Sequence, residues 1–496
     1  MKKISSILAL LLCMSMLLTA CGGGPAIDDV SGIGYGGDDV YGENSLGGIN
    51  GGNGGNGGGN NTDGNGSQVT SKFGVKSRKQ LPDYIKDLPE TSELKMFVTV
   101  RPNEVEQKAK LELFKTMTGK TFTFKYDVAT DWNTYSEELA TLVSSNSAPD
   151  SYSVDITQAA FVMGKGVFED ISNYIDATDP LWIETTQNPN DVYTKYKGTR
   201  YAVCTSTSVI SNGLLYNKKL TDAAVAKSGG TLQDPVTMFY NNKWDWNAFG
   251  KFVELITVPG NPEPSVYGAS INWAFLVTWI GSTGIDIIKM DDNSKLVSNI
   301  SDKNVLRTYE YIQSLTAKGC LDRLTWDNIP NRFSSNKIGF ISGHVWDYNT
   351  PAYLPLKQAG TIQFVPYPKD PEADKYYHNA NTNFFAIPKG AKNPYGIAAW
   401  EYLGRYMHYN ENENFVKAQK DMYATTYGWT DQDYQYYIKD IDKKVTPITF
   451  IGNRLTDFDD KRFTEGLVNT ALGTPASIIN EVKSAHISAV DKFNRS

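Results

Sequence analysis

The sequence predicts an α/β protein of two or more lobes built on wound parallel sheets, and three observations predict it. The chain has 496 residues, well beyond a typical domain of about 100–200 residues. From residue 92 onward, the apolar spacings of strands and of helices alternate, which is the pattern of βαβ units. The first 70 residues lack this pattern. We therefore expect the folded body to begin after them.

Three strands and two helices open the predicted body. Residues 92–100, 122–128 and 152–156 have the apolar spacing of strands. The helix after the first strand ends at Gly119, and its predicted inward face consists of Val105, Ala109, Leu113, Phe114 and Met117. Thr134-x-x-Glu137 predicts a capping box at the start of the second helix.

Ligands of wound sheets bind beyond the carboxyl ends of the strands. Arg101, Trp132 and Asp155 follow or end the three predicted strands, which makes them candidate ligand contacts. Each has a structural alternative: Arg101 facing solvent, Trp132 serving as a hydrophobic staple, and Asp155 capping a helix.

The later helices carry clear start and stop signals. Asp245 is predicted to cap a helix, Gly319 to end another, and Thr474 with Pro475 to begin the last one. Its predicted inward face is Ile478, Val482, Ala485, Ala489 and Phe493, with His486 as a structural histidine beside it. Four tryptophans in helical patterns are predicted to be core residues: Trp182, Trp244, Trp246 and Trp400.

The N-terminus has the composition of an export signal. Lys2-Lys3 precede an apolar run from Ile4 to Leu18, which is too short to span a bilayer comfortably. Leu18-Thr19-Ala20-Cys21 matches the bacterial lipobox. We expect residues 1–20 to be a lipoprotein signal peptide and Cys21 to be lipidated; the alternatives are cleavage by the ordinary signal peptidase or a buried Cys21.

The segment 21–70 is predicted to be a disordered tether. Residues 22–66 hold 19 of the 43 glycines and six acidic residues, with no Lys or Arg, so they cannot bury a core. The net charge of −7 falls to −3 over residues 67–496. The charge of the whole chain is therefore no guide to the ligand.

Composition disfavours several functional classes. The body has no basic excess, which argues against nucleic-acid binding. Its four histidines show no metal-ligand spacing, so we predict no metal site and no cofactor. A disulfide between Cys204 and Cys320 is formally possible, but two buried thiols are the preferred interpretation.

Several local motifs occur in a fixed order over residues 91 to about 410, among them Met117-Thr118-Gly119-Lys120, Ala148-Pro149-Asp150, Tyr216-Asn217-Lys218-Lys219-Leu220, Lys337-Ile338-Gly339-Phe340 and Phe385-Ala386-Ile387-Pro388-Lys389. Each motif is weak by itself, but in this order they together resemble the large extracellular solute-binding protein family of ABC importers, which includes maltose-binding protein. Phe340 departs from the family pattern, because a small residue is usual there.

The resemblance implies a type II periplasmic-binding-protein-like fold, with two lobes that close around a ligand by hinge motion. Its implied divisions are lobe 1 at 71–206, lobe 2 at 207–365, a return to lobe 1 at 366–412, and C-terminal helices on lobe 2 at 413–496. It also implies a monomer, anchored by Cys21 on the outer face of the cell membrane, that delivers its ligand to the transmembrane subunits of a permease.

The predicted ligand is a mono- or oligosaccharide, which needs aromatic platforms with polar groups at their edges. On lobe 1 the resemblance adds Tyr152 and supports Asp155 as an acceptor for sugar hydroxyls. On lobe 2 it adds Trp273, with Trp279 as its alternative, and Trp346, for which core packing is the alternative. Asp347 and Tyr348 follow Trp346 directly.

Two other functions remain open. A non-sugar solute such as a peptide, a polyamine or an anion is one of them, although only Arg101 stands out as an anion contact. A secreted glycoside hydrolase would need two carboxylates facing each other across the bond, and the acidic pairs Asp291-Asp292 and Asp459-Asp460 have the character of solvated turns. We therefore predict no catalytic residues.

Overall fold

The computed structural model describes most of the body. It covers residues 71–98, 101–102, 104–129, 134–155, 158–159, 162–186, 188–208, 213–270, 278–322, 329–343, 345, 347, 350–410, 413–448 and 469–495. Within these ranges no helix has the length and apolar character needed to cross a membrane.

The strands, in chain order, are β1 Thr91–Val98, β2 Thr121–Val128, β3 Ser151–Asp155, β4 Lys195–Tyr196, β5 Thr199–Arg200, β6 Ala202–Ser208, β7 Gly213–Asn217, β8 Tyr267–Ser270, β9 Ile288–Met290, β10 Leu296–Ser298, β11 Leu321–Asp322, β12 Ile338–Gly343, β13 Ile362–Val365, β14 Tyr376–Asn379, β15 Asn381–Ala386 and β16 Val445–Ile448.

The α-helices are α1 Glu104–Thr118, α2 Tyr135–Ser144, α3 Ile183–Thr186, α4 Lys218–Lys227, α5 Pro235–Tyr240, α6 Trp246–Ile256, α7 Lys303–Ala317, α8 Ile329–Ser334, α9 Leu354–Gln358, α10 Pro394–Asn410, α11 Glu413–Tyr427, α12 Asp431–Tyr434, α13 Ile441–Lys444 and α14 Pro475–Arg495. A π-helical turn covers Gln435–Asp440, and 3₁₀ turns cover Asp83–Asp87, Met163–Lys165, Ile171–Asn173, Pro189–Thr194 and Thr470–Leu472.

Two five-stranded sheets organise the body, and each has one antiparallel strand among parallel ones. The first sheet has the order β2-β1-β3-β15-β6, in which β15 runs antiparallel to both neighbours. The second has the order β11-β8-β12-β7-β13, in which β7 is the antiparallel strand. We call the parts of the chain built on these sheets lobe 1 and lobe 2.

The chain passes between the sheets more than once. It leaves the first sheet after Ser208 and joins the second at Gly213. It leaves the second sheet after Val365 and rejoins the first at Asn381. Between Val365 and Asn381 the chain forms β14, which pairs in parallel with β16. The antiparallel strand of each sheet is thus the strand that receives the crossing chain.

The hydrophobic core follows this division in part. One cluster packs α1 and α10 on one face of the first sheet, with Leu94, Phe114 and Leu403 among its members. The larger cluster contains the interior of lobe 2 and the opposite face of the first sheet. Trp182, Trp244, Trp246 and Trp400 are all buried, which confirms their prediction as core residues.

Several local predictions are confirmed. The Asp245 carboxylate accepts the Ala248 N–H at 2.9 Å and so caps α6. His486 is buried, with Nδ1 2.6 Å from Ser298 Oγ, and burial lowers its pKa to about 4. Cys204 and Cys320 are buried free thiols.

The predicted inward face of α1 is confirmed at Phe114, which is buried, but is wrong at Val105 and Met117, which are 56% and 37% exposed. Glu106 and Lys110 are buried as well, although neither belongs to the predicted inward face. The reason is the position of the neighbouring helices, since α1 packs against both α10 and α11. The Lys110 ammonium lies 4.3 Å from the centre of the Trp400 ring, where the ring face attracts a cation.

Two further details differ from prediction. Thr134 makes no capping hydrogen bond to the α2 backbone; its hydroxyl donates to Glu138 Oε1 at 2.7 Å. Its φ and ψ of −103° and 0° lie outside the extended region that a capping residue needs. In α14, Ala485 is exposed because the buried face includes Ile479, His486 and Val490.

Candidate functional site

The candidate site is defined by the carboxyl ends of the parallel strands. In lobe 1, Val98 of β1 lies opposite Val128 of β2, and β3 ends at Asp155. In lobe 2, Ser270 of β8 lies beside Asp322 of β11 and Ile341 of β12. Parallel strands in register bring these ends to one edge of each sheet, where wound sheets bind ligands.

Arg101 lies three residues beyond the end of β1 and is exposed. Its guanidinium carbon is 6.0 Å from the centre of the Tyr126 ring. Burial raises the pKa of Tyr126, whose hydroxyl oxygen also accepts a hydrogen bond from the Gln107 amide. Val128, at the end of the neighbouring strand, is 45% exposed. This edge therefore combines a cationic donor with open apolar surface.

Tyr152 occupies the core of lobe 1. Its side chain is 0% exposed, and its ring stacks on Tyr135 with 4.5 Å between ring centres. Phe97 and Phe168 pack around the same ring, and its hydroxyl lies 3.3 Å from Gln158 Oε1. Because these neighbours cover the ring, Tyr152 is not open to a ligand, contrary to its prediction as a ligand contact. It supports the strand that ends at Asp155.

Asp347 lies four residues beyond the end of β12, whose last residue pairs with the residue at which the chain enters lobe 2. It is half-buried, and its Oδ2 is 3.1 Å from the place that a Cβ on Gly343 would occupy. Gly343 pairs with Gly213, the first residue of β7. The Thr350 hydroxyl and N–H donate to the Asp347 carbonyl at 2.9 and 3.1 Å.

The structure describes only some of the other predicted ligand contacts. Asp155 ends β3 opposite Asn383 of β15. Trp132, Trp273, Trp346 and Tyr348 lie outside the described residues. Trp279, the alternative to Trp273, is fully buried, with its ring centre 5.0 Å from that of Phe249. It is a core residue, so the alternative is wrong.

Sequence reasoning missed a cluster of buried hydroxyls where the chain leaves lobe 2. Tyr367, two residues beyond β13, hydrogen-bonds Ser342 of β12 and the side chain of Thr278. All three are buried. The one sequence signal is a tyrosine between two prolines, Pro366 and Pro368, and no periodic pattern marks it.

The 3₁₀ turn Pro189–Thr194 also makes polar contacts, one with β9 and one with β15. The Tyr193 hydroxyl, from the lobe 1 segment, accepts the Met290 N–H of β9 at 3.0 Å. The Asn190 amide donates to the Thr382 hydroxyl of β15 at 2.6 Å. Across the described ranges, no group of three His, Cys, Asp or Glu side chains is placed to hold a metal ion.

Comparison with solved structures identifies the fold. A cyclic α-maltosyl-1,6-maltose binding protein from Arthrobacter globiformis is similar at a TM-score of 0.56 and 14% identity, covering 81% of this chain and 99% of the other. An extracellular solute-binding protein from Staphylococcus aureus in complex with maltose is similar at 0.55 and 14%, covering 82% and 99%. An ABC substrate-binding protein from Listeria monocytogenes in complex with cycloalternan is similar at 0.51 and 16%, covering 82% and 98%. The predicted two-lobed type II fold is thereby confirmed.

Sequence comparison gives a consistent result. No protein of curated function matches this chain. The family model for bacterial extracellular solute-binding proteins matches residues 111–426, which is more than half of the chain and includes both crossings between the sheets. The resemblance noted in the sequence is confirmed, and the chain belongs to the family of bacterial extracellular solute-binding proteins.

Proposed function

We propose that this protein captures a mono- or oligosaccharide between its two lobes and delivers it to the transmembrane subunits of an ABC importer. The observation that carries the proposal is the two-lobed fold, shared along nearly the full length of proteins described as bound to maltose or cycloalternan. The matching family model describes extracellular solute-binding proteins, and capture of a solute outside the cell agrees with that description.

The residue types at the strand ends support a neutral sugar as the ligand. A sugar has apolar CH faces and a rim of hydroxyls, so it needs aromatic platforms flanked by hydrogen-bonding groups. Arg101 and Asp347 would supply a donor and an acceptor from opposite lobes, and Asp155 a second acceptor. Trp132, Trp273, Trp346 and Tyr348 would supply the platforms.

The attachment to the cell is part of the proposal. Residues 1–20 act as a lipoprotein signal peptide, Cys21 carries the lipid, and residues 22–70 form a tether. The body then works as a monomer on the outer face of the cell membrane. Replacement of Cys21 by Ser would release the protein into the culture medium; retention in the membrane fraction would contradict the anchor.

A ligand screen tests the central claim. Purified residues 71–496 should show a raised melting temperature with a sugar from a panel that includes maltose and maltotetraose, and should leave that sugar unhydrolysed. Peptides and polyamines complete the panel. A shift with a peptide or a polyamine and with no sugar would contradict the sugar proposal. Release of reducing ends would contradict a role limited to binding.

A pair of tryptophan variants tests the site. Trp346→Ala should abolish sugar binding and leave the melting temperature of the free protein nearly unchanged. Trp279→Ala is the matched control: it removes a fully buried side chain and should destabilise the free protein by about 3–5 kcal/mol. Equal destabilisation by both variants would place Trp346 in the core instead.

A further inference from the structure

The most informative feature that the proposed function leaves unexplained is the buried hydroxyl cluster of Tyr367, Ser342 and Thr278. Tyr367 is 1% exposed, Ser342 6% and Thr278 0%. Ser342 is the penultimate residue of β12, directly before the segment that carries Asp347. Thr278 follows the predicted ligand segment around Trp273 in the sequence. One phenol hydroxyl therefore joins two parts of the chain that adjoin predicted ligand segments in the sequence.

The rest of Tyr367 is held firmly by other groups. Its N–H donates to His378 Nε2 at 3.4 Å, and His378 Nδ1 donates to the Asn379 carbonyl at 2.9 Å. This arrangement requires a neutral imidazole, and burial lowers the pKa of His378 to about 4. The Tyr367 ring meets Trp279 edge-on, with 6.0 Å between ring centres. The crossing segment is thus a fixed support.

We propose that Tyr367 is a positioning residue: its hydroxyl fixes the end of β12 and the helical residues 278–281, and so orients the lobe 2 half of the binding site. The proposal rests on the proposed function for its effect on ligand affinity, but its effect on structure is independent of the ligand. Removing the hydroxyl leaves two buried hydroxyls without their common partner, which favours local opening of both segments.

Hydrogen–deuterium exchange of the mature chain tests this directly. Tyr367→Phe keeps the ring and should accelerate amide exchange by about tenfold in peptides covering residues 276–284 and 342–350. Peptides from β1 and β2 should be unchanged. The matched control is Tyr216→Phe, which removes another buried hydroxyl of lobe 2, one bonded to Asp234 and Gln363 at 3.0 and 2.7 Å. It should leave the 276–284 and 342–350 peptides unchanged.

The outcomes are distinct. Unchanged exchange in both peptides, or equal acceleration throughout lobe 2, would overturn the positioning role. Ser342→Ala should affect the same peptides, and its effect should not add to that of Tyr367→Phe. Affinity for maltotetraose should fall about tenfold in Tyr367→Phe if exchange responds as expected. A wild type that binds no sugar would count against the proposed function alone, because the exchange result decides the positioning role separately.

Discussion

Replacing Gly213 by Ala tests how tightly the chain is packed where it enters lobe 2. A Cβ at Gly213 would lie 2.2 Å from Phe364 Cζ and 2.3 Å from Cε2, against an ordinary contact of 3.4–4 Å. One side must therefore move by more than 1 Å. Phe364 is fully buried, with its ring centre 5.9 Å from that of Tyr437, so it has little room to move. Overpacking of this kind should lower the free energy of unfolding by about 1–3 kcal/mol.

Urea unfolding of the wild type, Gly213→Ala, Phe364→Leu and the double variant measures the loss of stability and tests whether the clash with Phe364 causes it. Leu in place of Phe364 removes the ring tip that the new methyl group would meet. The loss in Gly213→Ala/Phe364→Leu should therefore be smaller than the sum of the two single losses by at least about 1 kcal/mol. Additivity within about 0.5 kcal/mol, or an unchanged stability of Gly213→Ala, would refute the steric reasoning.

Two further predictions concern buried ionisable groups. Burial raises the pKa of Asp179 from 3.8 to about 6. The folded state therefore binds this proton more tightly than the unfolded state does. As pH rises from 4 to 6, the contribution of Asp179 to the free energy of unfolding falls by about 1.4 kcal/mol per pH unit. Asp179→Asn removes this fall, while His378 and His486, whose pKa values are lowered, act in the opposite direction in both proteins. The free energy of unfolding of the variant minus that of the wild type should thus increase as pH rises from 4 to 6. A difference that stays constant with pH would contradict the raised pKa of Asp179. Cys204 and Cys320 are buried free thiols, so neither should react with a thiol reagent until urea unfolds the protein; fast labelling of either of these two residues in the folded protein would contradict their burial.

Sequence reasoning succeeded where the signal is local. The Asp245 cap depends on a carboxylate next to the first helical turn, and the structure has that hydrogen bond. The β-α-β-α-β order of residues 91–155 follows from apolar periodicity alone, and β1 pairs in parallel with both β2 and β3. The cap and the order of the elements depend on residues close together in the sequence, so no tertiary information is needed to predict them.

It failed where neighbours distant in the sequence decide the environment. Lys110 is buried because Trp400, almost 300 residues away, presents its ring to the ammonium. Tyr152 and Asp155 share a strand, yet the tyrosine ring is covered by Tyr135 of a preceding helix. The hydroxyl cluster of Tyr367 escaped detection because its members come from three separate parts of the chain.

The sequence by itself determined the α/β class, the division into two lobes and the family, because periodicity, turn residues and ordered motifs are written along the chain. The tertiary structure decided which candidates are covered by neighbours and which are open at the strand ends. Burial depends on what packs above a residue, and that is set by contacts across the fold. Arg101 and Tyr152 illustrate the difference: Arg101 follows β1 and is exposed, whereas Tyr152 lies within β3 and is fully enclosed.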